Sequence, residues 1–530
     1  MLAMGKWFTL TPSISNRYGK RVGSFARADS VEAHANGGDN SIKNNDKKKK
    51  VVVVGSGWAG LGAANHLCNQ GFDVTVLDGG DGLGNPDNVG IQGDKLPLPG
   101  KNKKDTTEGT GFGILIKIYL AWSMSWVSSP SQAGQDLQCI QEKGWSIPGT
   151  LSIANSIGNL IPHSIIDFDN TDVAWKKYDP ITARELFKQF GCSERLYQDV
   201  FGPLLQVGLF APAELCSAAA TLGLLYYLIL AHQKHFDVVF CRGTTREKIF
   251  EPWVESLKAK GCEMLEDKKV TDIFFNEETG CITEVVCGKE TYSADAVILA
   301  VGIATLQEII KKSAALYTRE EFLKVLNLAG IDVVTVKLQL DKKVAIPNPS
   351  NACAGFDDLF GWTFFDLNVI HDKHKDDPVT VLQADFYHAN ELLPLKDELV
   401  VEKVMSYLSK CIKDLKGATV VDEEIQRFPK RLTHFFPGSY KYMMRGSTSY
   451  PNLFMAGDWI ITRHGSWSQE KSYVTGLEAA NRVVDYLEVG NFAIIIPVEE
   501  DEPHIEALRT LNRRLNEIIS QVPLSGYFLQ

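Results

Sequence analysis

None of the ten cysteines stands in C-x-x-C spacing with another. That excludes a zinc ribbon and the disulfide framework of a small secreted domain. Cys68, Cys216, Cys241 and Cys287 sit in apolar contexts and read as buried thiols of a reducing compartment. No metal centre is expected. There is no basic stripe with interleaved aromatics, and 55 Lys+Arg against 65 Asp+Glu leave a net charge of −10, which argues against nucleic acid as a partner. Residues 1–28 contain no Asp or Glu, yet carry Lys6, Arg17, Lys20, Arg21 and Arg27 among many hydroxyls. Acid-poor, basic and hydroxyl-rich is the composition of an organelle transit peptide, and no apolar segment suits secretion. Residues 29–50 read as a solvated linker.

Long apolar runs are also scarce. Leu215–Ala231 is uncharged over 17 residues, the lower limit for crossing a bilayer, and Ser217, Thr221, Tyr226 and Tyr227 soften it. It reads as a buried helix, or as one that lines an apolar cavity or dips into one leaflet.

Against these absences stands Val51–Asp78, VVVVGSGWAGLGAANHLCNQGFDVTVLD. Four valines form a strand, Gly55, Gly57 and Gly60 follow in G-x-G-x-x-G spacing, a helical pattern runs to Gly71, and a second strand ends on Asp78. Gly55 permits the tight turn, Gly57 lets a pyrophosphate approach the backbone and Gly60 lets helix and strand pack closely. Ser56, Trp58 and Ala59 belong to the same turn. The new helix aims free N–H groups and the positive end of its dipole at the phosphates. Asp78 sits where a carboxylate can accept bonds from a ribose.

Residues 79–110 are a Gly/Pro-rich loop, and Gly111–Pro130 is apolar without a clean period. Helical patterns fill 160–235 and Arg246–Lys260. Short strands follow at Gly261–Leu265, Val270–Phe275, Ile282–Val286 and Ala296–Val301, a pattern of antiparallel strands returning to the nucleotide domain. Leu306–Leu328 reads as helix, Val333–Leu340 and Val379–Tyr387 as strands, and Leu399–Leu415 as an amphipathic helix. A second nucleotide element lies at 451–487: strand Asn452–Ala456, then Gly457-Asp458, a loop over 465–473, and a helix carrying Gly476, Ala479 and Ala480.

An early G-x-G-x-x-G paired with N-L-F-x-A-G-D and a late helix rich in small residues resembles the flavin-dependent amine oxidase and carotenoid desaturase superfamily. AGDW, with LTHFFPGS at 432–439, is more similar to the plant carotenoid desaturase branch. The resemblance covers roughly residues 50–90 and 160–490. It implies an α/β fold in which a Rossmann-like FAD-binding domain (51–95, 236–305, 450–490) is interleaved with an α+β substrate domain (96–235, 306–449), followed by a helical tail (491–530). It implies FAD, with Gly55, Gly57 and Gly60 at the pyrophosphate, Asp78 at the adenosine ribose, Val270 meeting the adenine through its backbone, Asp458 after Gly457 at the ribityl or pyrophosphate end, and Val474 near the isoalloxazine. Lys471, Ser472 and Thr475 stand where Gly, Ala and Ser are usual, Asp78 replaces the usual Glu, and the family's arginine segment is absent from 79–100.

The implied activity is FAD-dependent desaturation of a long apolar polyene by hydride transfer to flavin N5, with a quinone or oxygen as electron acceptor, in a plastid, with peripheral membrane contact as a further expectation. A flavin amine oxidase and a flavin-bound non-redox polyene isomerase or binding protein stand as alternatives. On sequence position, Phe210, Tyr226, Tyr227, Phe364, Phe365, Phe435, Phe436 and Trp467 are candidates for the substrate slot. His434 and His464 lie near the flavin motifs but read as structural.

Overall fold

A computed structural model describes residues 48–80, 125–128 (backbone only), 172–226, 241–354, 356, 360–462, 469–495 and scattered positions of 503–514. Along the chain, strand β1 (Lys50–Val54) leads into helix α1 (Trp58–Asn69) and β2 (Asp73–Leu77); β3 is Ser125–Ser128. A helical stretch between Asp172 and Leu225 ends with α2 (Ala218–Leu225). Helix α3 (Glu251–Ala259) precedes β4 (Glu263–Leu265), β5 (Asp272–Phe275), β6 (Ile282–Cys287), β7 (Glu290–Ser293) and β8 (Ala296–Leu299). Then come α4 (Ile303–Lys312), β9 (Ala329–Leu340), β10 (Ser350–Ala354), β11 (Trp362–Asp366), β12 (Val381–Tyr387), α5 (Asp397–Cys411), β13 (Val420–His434), β14 (Leu453–Met455) and α6 (Gln469–Leu487).

The first sheet is parallel, in the order β14-β8-β1-β2-β4. Its central strands β1 and β8 are buried on both faces, which is why β1 reads as an unbroken valine run. One face packs on α1, α3 and α6, the other on α4 and the antiparallel β5-β6-β7 layer. The short segment Glu263–Leu265, expected among antiparallel strands, instead extends the parallel sheet beside β2. Backbone pairing of Val270–Phe275 begins only at Asp272, and the helical pattern over 306–328 breaks into Ile303–Lys312, Ala314–Tyr317 and Glu320–Val325.

The second sheet runs β13-β9-β12-β11-β10-β3 and is antiparallel except for β10 against β3. Alternate residues face opposite ways. Val334, Val336, Leu338, Trp362, Phe364 and Phe386 pack under α5. Ile331, Val333, Phe365, Tyr387 and Leu432 join the helices of 172–226. Every residue of α2 is buried, in keeping with the buried-helix reading. Among the described residues no helix is long and apolar enough to cross a membrane. Residues 1–47, 227–240, the segment 129–171 and most of the tail helix lie outside the described residues, and the expectations placed there stay untested.

Candidate functional site

Three parallel strands, β1, β8 and β14, lie side by side with β8 in the middle. Neighbouring strands are spaced by about 4.8 Å, so the turns leaving β1 and β14 emerge on one edge of the sheet about 10 Å apart. This carboxyl-terminal edge is where open parallel sheets bind nucleotides. It brings together the two motifs that lie some 400 residues apart in sequence, an order of magnitude beyond an ordinary β-α-β connection.

At the β1 end, Gly55 has φ +105°, and its N–H donates to Leu77 O at 2.8 Å. A Cβ at Gly55 would run into Ala300 O of the neighbouring β8 turn, and one at Gly60 would run into Gly55 O. These two glycines therefore serve the close packing of turn, helix and strand. Gly57 is different: it caps α1 with φ −76° and ψ −170°, extended backbone open to any residue. No side chain caps α1, and no acidic residue sits in its first turn. Its leading N–H groups are free to meet an anion.

Asp78 ends β2 and is 7 % exposed. It accepts hydrogen bonds from the Ser56 hydroxyl, from Ser56 N at 3.2 Å and from Gly80 N at 2.7 Å. A carboxylate offers about four acceptor positions, which leaves one for a ribose hydroxyl. Val270 is buried nearby against Val52, Val54 and Leu77. The segment leading to it lies alongside Asp78, with Lys268 N donating to Asp78 O at 2.6 Å and a Cβ at Gly79 falling 3.4 Å from Lys269 Cα.

At the β14 end, Gly457 has φ +141° and its N–H donates to Thr475 Oγ1 at 2.9 Å. The Thr475 hydroxyl also lies 2.8 Å from Ser472 O and 3.1 Å from Gly457 O, fastening α6 to the turn. The departure from Ser to Thr thus keeps the working hydroxyl. Helix α6 crosses α1 closely: a Cβ at Gly476 would run into Ala59 O, and one at Gly62 would come within 2.8 Å of Tyr473 Cδ2. Asp458 and Lys471 are both buried. Burial pushes the Asp458 carboxyl up, opposed by the Lys471 charge, and pushes Lys471 down to about 8, opposed by Asp458. Thr433 of β13 donates to Asp458 at 3.4 Å, and Trp459 Nε1 donates to Val301 O at 3.1 Å. Val474 is buried on α6.

FAD fits this edge. Its pyrophosphate needs uncapped helix N–H groups, and the start of α1 after Gly57 supplies them. Its ribose needs a carboxylate with a spare acceptor, and Asp78 has one. At the starts of α1 and α6, Trp58 Nε1 and Gln469 Oε1 are buried without a hydrogen-bond partner. Such orphaned buried atoms are rare in folded proteins and mark where a polar ligand would satisfy them. When bound, FAD supplies a two-electron acceptor for the substrate. The protein's own residues hold it, exclude water and fix its orientation.

The aromatic candidates divide. Phe210, Tyr226, Phe365 and Phe435 share one buried cluster with the helices, and the Phe210 ring lies 4.8 Å from that of Tyr387. Phe436 is half-buried, with its ring 5.6 Å from His434. Phe364 faces the other side of the sheet, under α5, so a slot on the helical face cannot include it. Tyr227, Trp467 and His464 lie outside the described residues. His434 Nε2 is 3.0 Å from Leu215 O, and burial pushes its pKa down, which suits a neutral structural imidazole. Sequence reasoning missed Ala300 and Val301, which close the β8 turn against both motifs, and Thr433. A strand ending in small residues beside two glycine turns was the available signal for the first pair. Thr433 lies in the LTHFFPGS segment, but nothing in the sequence pointed to its contact with Asp458.

Comparison with known proteins agrees with this geometry. The profile of the flavin containing amine oxidoreductase family matches residues 168–484, and that of the NAD(P)-binding Rossmann-like domain matches 53–88. A 15-cis-phytoene desaturase of Capsicum annuum is 21 % identical over 83 % of this chain and 78 % of its own length. The zeta-carotene desaturase of Synechocystis is 21 % identical over 82 % and 97 %. Among solved structures, cyclohexylamine oxidase from Brevibacterium oxydans superposes with a TM-score of 0.61 at 13 % identity, covering 83 % of this chain and all of that one. Putrescine oxidase bound to putrescine gives 0.60 at 14 %, over 83 % and 99 %. The chain belongs to the flavin-containing amine oxidoreductase family and is an FAD-dependent oxidoreductase.

Proposed function

We propose that the protein desaturates a long apolar polyene of the carotenoid type. The observation that carries this reading is the buried apolar cluster of Phe210, Tyr226, Phe365, Tyr387, Phe435 and Leu432. It lines the helical face of the second sheet, with Leu432 and Tyr387 towards the end where Thr433 reaches Asp458 and Phe365 further along, beside Gln383. Desolvated rings and aliphatic chains hold a hydrocarbon by area burial alone. The names of the curated relatives, phytoene and zeta-carotene desaturases, point the same way.

Turning a C–C bond into C=C removes a hydride and a proton. A quinone or oxygen is the proposed final acceptor for the two electrons. An amine substrate would call for an ionised carboxylate facing its ammonium. The buried carboxyls beside the cluster, Asp179 and Asp385, are both pushed up by burial, towards the neutral form. That favours an uncharged substrate.

Anaerobic mixing of the flavin-loaded protein with a linear polyene, and separately with a primary amine, tests the proposal. Bleaching of the flavin band by the polyene, with a more conjugated product, is the expected result. Bleaching by the amine alone would establish an amine oxidase. Cis/trans isomers with no bleaching would establish an isomerase. The acid-poor residues 1–28 and the chloroplastic names of plant relatives support a plastid address, testable by imaging the full-length tagged chain. Contact of the 215–231 segment with a bilayer surface is proposed as well, and flotation with liposomes tests it.

A further inference from the structure

The helical face of the second sheet is not uniformly apolar. At the end touching the FAD-binding sheet it presents Ile331, Val333, Tyr387 and Leu432. Further along the same strands the inward polar residues are Thr335, Lys337 and Gln339 on β9 and Gln383 and Asp385 on β12, with Thr363 on β11; Ser350 on β10 is set apart from Gln383 by the ring of Phe365. All seven are buried, Gln383 completely and Asp385 to 1 % exposure. Thr363 Oγ1 and Tyr387 OH satisfy each other at 3.0 Å. Gln383 Nε2 lies 3.2 and 3.3 Å from the two Asp385 oxygens. Gln383 Oε1 and Ser350 Oγ have no hydrogen-bond partner. An unsatisfied acceptor costs more than the bond it would make, so a sheet does not keep two of them in a dry interior without a use.

We propose that this polar block receives the hydroxyl end of an elongated substrate whose apolar body lies along the Tyr387–Leu432 end of the same face. Gly330 of β9 pairs with Thr433, which reaches Asp458, and Lys337 pairs with Gln383. Seven residues of strand separate the two levels, about 20 Å. The block therefore lies too far from the FAD edge to handle reacting atoms, and acts as a specificity element for the remote end. It offers an acceptor that lacks a donor, Gln383 Oε1, so the ligand group must bring an O–H or N–H. An ammonium is disfavoured by Lys337, which sits across from Gln383 and whose charge also presses on His374. A neutral hydroxyl donates to Gln383 Oε1 without adding charge. This inference rests on the polyene reading above and narrows it to an alcohol-bearing polyene.

The test uses the flavin-loaded full chain and a length series of linear polyenols. Each is set beside its deoxygenated hydrocarbon, its terminal amine and its terminal carboxylate, and binding is read by quenching of protein fluorescence. The polyenol of matching length should bind roughly three- to tenfold tighter than its hydrocarbon. Gln383→Met and, independently, Gln383→Leu should shrink that preference towards unity, with hydrocarbon affinity and flavin content unchanged. Equal affinity for alcohol and hydrocarbon, preference for the amine or carboxylate, or a preference that survives both variants overturns the inference while leaving the polyene reading intact. Failure of every polyene to bind or bleach the flavin overturns both.

Discussion

Gly55 and Gly57 look alike in the motif and do different work. Gly55 is held at positive φ against Ala300, so Gly55→Ala should damage the fold itself, seen as a lowered unfolding midpoint of the flavin-free protein. Gly57 has a backbone any residue tolerates. Gly57→Val should keep the circular dichroism and unfolding midpoint near wild type yet purify without FAD, because the branched side chain stands where the pyrophosphate must come; retained flavin would refute that placement. Lys471 gives a second contrast. Its pKa falls from 10.5 unfolded to about 8 folded. Between those values the unfolded chain binds the extra proton, so the lysine's contribution to stability improves as pH rises across the window and is worst below it. The stability of wild type relative to Lys471→Met, measured by urea unfolding of the flavin-free protein, should therefore climb from pH 8 to 10.5. A flat difference would mean that Lys471 is not buried as described.

The elements were legible to the degree that burial matched a sequence period. The valines of β1 are buried on both faces and announce themselves. β9 shows period two in Val334, Val336, Leu338 and Leu340, and the strand is there. An alternating strand ordinarily sends its polar residues to water, yet Thr335, Lys337 and Gln339 are buried. Period alone cannot tell a wet face from a polar site. β13, VVDEEIQRFPKRLTH, is the longest strand and gave no expectation, since its charges, Pro429 and half-exposed residues resemble a loop. Only pairing with β9 along its length makes it a strand. The small residues Gly476, Ala479 and Ala480 marked the late helix in the sequence, but as clearance for a flat ring; their packing against α1 was not read from it. Gly476→Ala pushes a methyl into Ala59 O, and overpacking of this kind costs about 1–3 kcal/mol. Unfolding should show that loss together with weaker FAD binding, since α6 carries both Lys471 and the Thr475 contact to Gly457. An unchanged melt would mean the helices can part freely.

At the scale of the whole molecule, fold class and cofactor followed from two short motifs, because a dinucleotide constrains both its turns chemically. The substrate side was less readable. Aromatic residues are equally at home in a core, and Phe364 and Phe365, adjacent in sequence, face opposite ways. The proposed FAD site draws on β1, β2, β8, β14, α1 and α6, so a ligand bound there would tie early and late segments together. Saturating FAD at a hundred times its Kd should raise stability by about 2.7 kcal/mol. Calorimetry of flavin-loaded and flavin-free protein would show this as an upward shift of the main transition, and coincident transitions would contradict a site shared by all these segments.

The position of β14 has a consequence for biosynthesis. It is a three-residue edge strand paired in the sheet with β8, and it is synthesised about 400 residues after β1. Until it docks, the turn bearing Gly457 and Asp458 has no platform. The nascent polypeptide can assemble the valine strand and its glycine turn early, but about 400 further residues must be made before the flavin has both walls to settle between.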